Sequence, residues 1–422
     1  MGGSAPGETP FPLQNLPFGI FRPHATAPAR AGVAIGAQIL DLPAALSLGL
    51  FDGAAADAAA LCRGDTLNEL MAAGREASRA LRLGLSQLLR AGAPGQARAA
   101  GCLVPQAGAR LELPARIGDF TDFFTSTHHA ENVRRAYRAA TVELPNLRAM
   151  PLAYHGRAST VMVSGTPCRR PRGQFLPSGS KLPVEAPSER LDYELEVGFY
   201  VGQPTRLGEP LALAAAERHV FGLCLVNDWS ARDIQRWESA PLGPFLGKNF
   251  LTSVSPWVVT LDALAPFRVP HPPRGETAMP LLPGLDDPAD QQAGAIDLQL
   301  SVAVQTAAMR KHGLPPRLLG QPRFRDQYWS IFQMLSHHTA NGCALRAGDL
   351  LASGTVSGAD SSQLGCLLEL AEAGARPVSL PDGESRSFLA DGDEVIFEGW
   401  CRRDGYVPIG LGECRGRVEP AG

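Results

Sequence analysis

From Arg116 to the C-terminus the chain is written as short apolar runs divided by Gly and Pro. "STVMVSGTP", "DYELEVGFYVG", "HVFGLCLVND", "SPWVVTLDAL", "IDLQLSVAVQT", "GDLLASGTVSG" and "DEVIFEGWCR" each read as one strand. Text this rich in strands and poor in helices predicts a β-sandwich, roll or barrel. Pro283–Gly294 ("PGLDDPADQQAG") reads as an exposed loop within it. The first part is different. "AGVAIGAQILDL", within Phe18–Leu42, reads as a hairpin of short strands. Pro43–Leu61 is Ala-rich and expected to be helical, and Leu67–Leu89 carries apolar residues at helical spacing before Gly92. At 422 residues the chain is long for one core. The expected boundary lies near Arg116, giving an N-terminal domain of residues 1–116 with helical segments and a C-terminal domain of residues 117–422.

Composition removes several function classes. The formal net charge is −3, and no basic stripe is evident, which argues against nucleic acid as a partner. No apolar stretch reaches the roughly 18 residues that span a bilayer. Met1–Phe11 is Gly/Pro-rich and lacks the basic and apolar regions of a secretory signal. The expectation is a soluble, cytoplasmic protein with neither nucleic-acid nor membrane partner. The eight cysteines are scattered and form no C-x-x-C pair, so buried free thiols are expected rather than a zinc site or a disulfide framework. Lysine occurs only at Lys181, Lys248 and Lys311 among many arginines, which makes each a candidate for a specific task.

The most informative short stretch is Asp192-Tyr193-Glu194-Leu195-Glu196-Val197. In a strand, Asp192, Glu194 and Glu196 share one face. Neighbouring carboxylates repel unless something compensates. Either this is a solvated edge, or a cation sits on the acidic face, and oxygen-only ligands would select a hard ion such as Mg²⁺ or Ca²⁺. "IGDFTDFF" places Asp119 and Asp122 among aromatic residues, where a buried carboxylate needs a partner. Asp228 follows the apolar run "VFGLCLV" and precedes "WSARDIQRWE", a short helix on which Arg232 and Gln235 point the same way. A helix N-cap would equally account for Asp228. His128-His129 follows Asp122; such a pair fits surface or core packing, or a histidine near a metal-bound substrate that serves as a general base. Lys248 sits in the Gly/Pro-rich loop "PLGPFLGKNFLTS", a good scaffold for a site.

Taken in order, "IGDFTDFFTSTHHAENV", "YHGRASTVMVSGTPCRRPRGQ", "LDYELEVGFYVG", "FGLCLVNDWSARDIQRWESAPLGPFLGKNFLTSVSPWVV", "GDLLASGTVSG" and "ADGDEVIFEGWC" resemble the hallmark blocks of the fumarylacetoacetate hydrolase family. "NLPFGIF" and "VAIGAQILDL" resemble the small first domain of its full-length type, so the likeness runs from about Asn15 to the C-terminus. The resemblance implies a mainly β (α+β) fold: a small N-terminal SH3-like barrel followed by a large mixed β-sandwich roll, assembled as a homodimer. It implies a metal site from Asp122, Glu194, Glu196 and Asp228. Lys248 and Thr252 match positions of a further Mg²⁺ site, where an ammonium is better read as a nearby charge than as a ligand. His129 matches the catalytic histidine and Glu369, in "CLLEL", its orienting acid. Arg232, Gln235 and Lys248 match groups around the departing product, and Arg138 and Thr355 match substrate contacts.

The implied activity is metal-dependent hydrolysis of a carbon–carbon bond in a 1,3-diketo acid, 4-fumarylacetoacetate, to fumarate and acetoacetate. In the family this closes tyrosine and phenylalanine catabolism. His129, oriented by Glu369, would activate water, and Arg232, Gln235 and Lys248 would steady the departing enolate. Two positions depart from the family, which has Tyr where this chain has Phe124 and Ser239; both are substrate contacts, so the reaction class is better fixed than the substrate. The alternatives are a hydrolase or decarboxylase/isomerase of a related acylpyruvate or diketo acid, and a non-catalytic β protein stabilised by its ion.

Overall fold

The computed structural model describes residues 8–137, 145–274 and 279–422. Residues 18–112 build a five-stranded antiparallel sheet in the order Leu103–Pro105, Gln38–Asp41, Arg30–Ile35, Phe18–Arg22, Arg110–Glu112. The helical text beside it folds into more pieces than its periodicity suggests. Pro43–Leu61 becomes Leu42–Ser47 and Gly53–Ala60, while Leu67–Leu89 becomes Asn68–Ala72 and Arg75–Leu89. The second break falls at Gly74, whose φ of 83° is left-handed and stops a helix at little cost to glycine. Arg75–Leu89 then buries Leu81, Leu85 and Leu88 on one face.

Two large sheets follow. The first runs Leu152–Gly156, Phe120–Phe124, Leu350–Ala352, Leu195–Val201, Val220–Asp228, Thr252–Val254, Val161–Val163, with Val259–Thr260 also pairing to Val220–Asp228. The second runs Arg317–Gly320, Leu298–Gln305, Glu394–Cys401, Ile409–Glu419, Cys168–Arg169. Leu195, Val197 and Phe199 pack with Leu298, Leu300, Val395 and Phe397 of the second sheet. Tyr200, Cys224, Val226 and Leu350 share a core with Leu16, Phe18, Val33 and Leu81 from the first part of the chain. The first large sheet is therefore covered on both faces, which is why its central strands read as continuous apolar text. Every residue of Leu195–Val201 and Val220–Asp228 is buried. The result is a mixed α+β architecture.

Pro283–Gly294 is not a plain exposed loop. It forms the turn Pro283–Leu285 and the helix Pro288–Ala293, capped by Asp287. Leu285 is buried, and Asp290 is pinned by Ser330 Oγ at 2.8 Å and by His271 at 3.1 Å, so the polar composition hides an anchored segment.

Candidate active site

Three strands of the first large sheet carry the acidic residues to one place. Asp122 lies on Phe120–Phe124, Glu196 on Leu195–Val201, and Asp228 ends Val220–Asp228. Glu194 immediately precedes its strand. Asp122, Glu194, Glu196 and Asp228 are all buried, and each offers a carboxylate oxygen within 4.8 Å of the others. Asp228 is no helix cap, since the helix begins at Arg232. Thr252 lies directly opposite Asp228 in the neighbouring strand, and its Oγ1 donates to Asp228 Oδ1 at 3.3 Å.

Asp192 does not join this cluster. The acidic run is two strands rather than one: Leu191–Asp192 pairs with Ser230–Ala231, and Leu195–Val201 pairs with Val220–Asp228. Asp192 turns to accept from the backbone N–H of Leu367 at 2.9 Å and Leu368 at 3.0 Å. It also receives Arg232 Nε at 2.9 Å.

The cluster is electrostatically unbalanced. Arg232 Nη1 and Lys248 Nζ each reach Glu194 at 2.5 Å, and Lys248 also pairs with Asp228. Burial alone would raise the Glu194 carboxyl, but Arg232 and Lys248 outweigh it and hold it well below the usual range. Asp122 and Glu196 go the other way: burial, then the charge of Asp228 on Asp122 and of Asp122 on Glu196, pushes both well above it. Both oxygens of Glu196 and Oδ1 of Asp122 are buried without a hydrogen-bond partner among the described residues. Orphaned buried carboxylate oxygens are costly unless a cation completes them. This donor set fits a hard divalent ion.

Facing the cluster is His129, in the first turn of the helix Thr127–Ala136. Ser126 caps that helix, accepting from the His129 backbone N–H at 3.1 Å. The ring packs edge-on to Phe124, with centroids 5.3 Å apart. Its Nδ1 lies 3.2 Å from Glu369 Oε2. The contact is not aligned as a hydrogen bond in this geometry, and such pairs tighten when substrate binds. Glu369 is fully enclosed and also receives Ser357 Oγ at 2.7 Å and Asn132 Nδ2 at 2.9 Å.

One cavity of about 610 Å³ joins these parts. Asp122, Glu194, His129, Arg232 and Lys248 line it, together with Phe124, Gln235, Ser239 and Thr355. Arg232 and Gln235 touch at 3.3 Å, and Ser239 Oγ donates to the Gln235 carbonyl. Glu196, Asp228 and Thr252 sit beneath the lining, and Glu369 lies behind His129. Arg138 falls outside the described residues. Gly354 lines the same wall with φ of 75°, and a Cβ there would strike the Phe123 carbonyl. Sequence reading missed Tyr154: it lies across the sheet from Asp122, lines the cavity, and donates from Oη to Asp228 Oδ2 at 2.9 Å. It also missed Asn132 and Ser357.

Residues 120–419 match the model described as fumarylacetoacetate (FAA) hydrolase C-terminal, and residues 14–114 match fumarylacetoacetase N-terminal. The chain belongs to the fumarylacetoacetate hydrolase family. It is 46% identical to fumarylacetoacetase of Rattus norvegicus, over 98% of this chain and 97% of that protein. Identity to the Homo sapiens enzyme of the same name is 45% over the same shares. For that of Oryza sativa subsp. japonica it is 44%, over 99% and 96%. Among solved structures, a fumarylacetoacetate hydrolase from Exiguobacterium antarcticum superposes with a TM-score of 0.51 at 17% identity, covering 96% of this chain and 99% of that one; at that identity the match speaks for the fold alone.

Proposed function

We propose that this chain is a fumarylacetoacetase, which hydrolyses the carbon–carbon bond of 4-fumarylacetoacetate to fumarate and acetoacetate and so closes tyrosine and phenylalanine breakdown. The observation that carries the reading is one cavity lined by both a buried four-carboxylate cluster and a histidine backed by a buried glutamate. Full-length relatives of that name support the substrate.

Asp122, Glu194, Glu196 and Asp228 would hold Mg²⁺ or Ca²⁺, with Lys248 and Thr252 beside them. When bound, such an ion polarises a carbonyl as a Lewis acid. The protein's own groups do the rest. Glu369 takes the Nδ1 side of His129, which leaves Nε2 to accept a proton from water. The oxygen attacks the carbonyl carbon next to the fumaryl double bond. As the carbon–carbon bond breaks, its electron pair leaves on acetoacetate as an enolate, which is then protonated. Arg232, Gln235 and Lys248 are the donors that face that developing charge. Phe124, Ser239, Thr355 and Arg138 are read as substrate contacts.

We read residues 18–112 as an SH3-like barrel and the two large sheets as a β-sandwich roll. The break between the two family matches, from residue 114 to residue 120, supports domains of residues 1–116 and 117–422. A homodimer is supported by one loop that exposes Leu242 and Phe245 at 96% and 66%. A cytoplasmic setting is supported by eight cysteines that are all free. No helix among the described residues is long and apolar enough to cross a membrane.

The test is His129→Ala. It should keep fold and metal content while abolishing turnover of fumarylacetoacetate; turnover within twofold of the parent would remove His129 as the base.

A further inference from the structure

Glu369 is a carboxylate taken wholly out of water, and its two oxygens are treated unequally. Oε2 is approached by three groups: Ser357 Oγ at 2.7 Å, His129 Nδ1 at 3.2 Å and Cys366 Sγ at 3.3 Å. Oε1 receives one donor, Asn132 Nδ2, at 2.9 Å. Losing Ser357 or Cys366 would leave Oε2 with partners. Losing Asn132 would leave Oε1 with no donor among the described residues. The terminal torsion of a glutamate is broad and soft, so a carboxylate gripped at one oxygen swings about it. Gripped at both, its plane is fixed.

Asn132 is itself held. Its Oδ1 accepts from Arg135 Nη2 at 2.8 Å, which settles which end of the amide faces Glu369. His129, Asn132 and Arg135 are three residues apart along the helix Thr127–Ala136, so they form one stripe. A single rigid element thus presents the base, the donor that fixes the base's partner, and the cation that polarises that donor. Behind them lies a separate cavity of about 410 Å³, lined by Asn132, Arg135, Glu369 and Arg376 among others. Asn132 and Glu369 both lie on its wall.

We infer that Asn132 is a positioning residue for the reaction: it fixes the plane of Glu369, so that His129 keeps Nδ1 on the carboxylate and Nε2 toward the substrate. This rests on His129 acting as the base. Asn132 touches neither substrate nor metal ligand, so its loss acts on kcat and leaves KM in place. Truncation and apolar replacement then differ. In Asn132→Ala, water from the rear cavity can refill the donor position. In Asn132→Leu, the side chain excludes that water and offers no donor.

The experiment is steady-state kinetics on the full-length, metal-loaded enzyme across pH. The expected result is a kcat fall of roughly tenfold for Asn132→Ala and roughly a hundredfold for Asn132→Leu, with KM within twofold. Burial raises the Glu369 carboxyl, but the nearby His129 imidazole and hydrogen bonds from Ser357 and Asn132 hold it below its usual range. Losing a donor lets it rise, so the acid limb of kcat should move to higher pH in both variants. A purely structural role would lower the melting temperature without moving that limb. Arg135→Gln, at an exposed position, serves if the Asn132 variants do not fold, and should move kcat and the limb the same way by a smaller amount. An unmoved acid limb with kcat within twofold, or a raised KM with unchanged kcat, overturns the inference. His129→Ala measured alongside separates the failures: an active His129→Ala sinks the base assignment, whereas an inactive one with normal Asn132 variants sinks only the positioning role.

Discussion

Glu194 and Glu196 stand two residues apart, both buried, and are driven in opposite directions: Glu194 is held ionised by Arg232 and Lys248, while Glu196 has no hydrogen-bond partner and its carboxyl is pushed well above the usual range. One carboxylate is already balanced by protein cations. The other is left by the described residues without a hydrogen-bond donor. Glu196 is thus the sharpest probe of the metal site. Glu196→Gln should weaken divalent-ion binding by roughly tenfold or more while leaving the fold intact. Elemental analysis after dialysis reads this directly, and metal content equal to the parent's would count against the assignment.

The same imbalance makes stability depend on pH when no ion is bound. The carboxyls of Asp122 and Glu196 titrate higher in the folded chain than their unfolded values of about 4. Such groups stabilise the folded state below the unfolded pKa, and that contribution is lost as pH rises through the folded one. Glu194, with its lowered pKa, acts oppositely, but only as pH falls below the ordinary carboxylate range. In EDTA the melting temperature should therefore fall as pH rises above the ordinary carboxylate range. Saturating Mg²⁺ should flatten that slope, because a cation favours the ionised cluster. Parallel slopes with and without the ion would contradict this account.

Arg232 carries two loads. It neutralises Asp192 and Glu194, both buried, and it lines the cavity beside Gln235. Arg232→Met should cost about 3–5 kcal/mol of stability, because it leaves buried charges unpaired. It should also lower kcat by roughly a hundredfold through loss of a donor to the departing enolate. Urea midpoints and initial rates check the two parts separately. A stable, slow variant would confine Arg232 to chemistry, and an unstable, fully active one would confine it to structure.

Ser239 lines the cavity with its hydroxyl turned to the Gln235 carbonyl. A tyrosine at that position would bring a ring and its own hydroxyl into the same space. Ser239→Tyr should lower KM for fumarylacetoacetate with little change in kcat. A KM that stays put or rises would show that substrate fit does not run through this position.

Much of the site was legible because its residues sit in long local patterns. Asp228 ends an apolar run, Asp122 lies in an aromatic one, and Lys248 occupies a Gly/Pro loop. The two-residue alternation placed Glu194 and Glu196 on a common side. It misplaced Asp192, because the strand breaks after that residue and the break depends on pairing with Ser230–Ala231. Helix breaks such as the one at Gly74 were hidden because the apolar period continues across them. Tyr154 reaches Asp228 only through the register of Leu152–Gly156 against Phe120–Phe124, which no local pattern encodes. Asn132 carried a readable signal, since it lies three residues beyond His129 on a helix. What it faces, Glu369, lies 237 positions away in sequence.

The most direct test of the central claim is to follow the near-ultraviolet absorbance of fumarylacetoacetate with the purified protein, before and after EDTA and again after Mg²⁺ is restored, and to identify the products by NMR. The account predicts loss of the diketone band, fumarate and acetoacetate in equal amounts, abolition by EDTA and recovery with Mg²⁺. A properly folded, metal-loaded protein that leaves the band unchanged would contradict it.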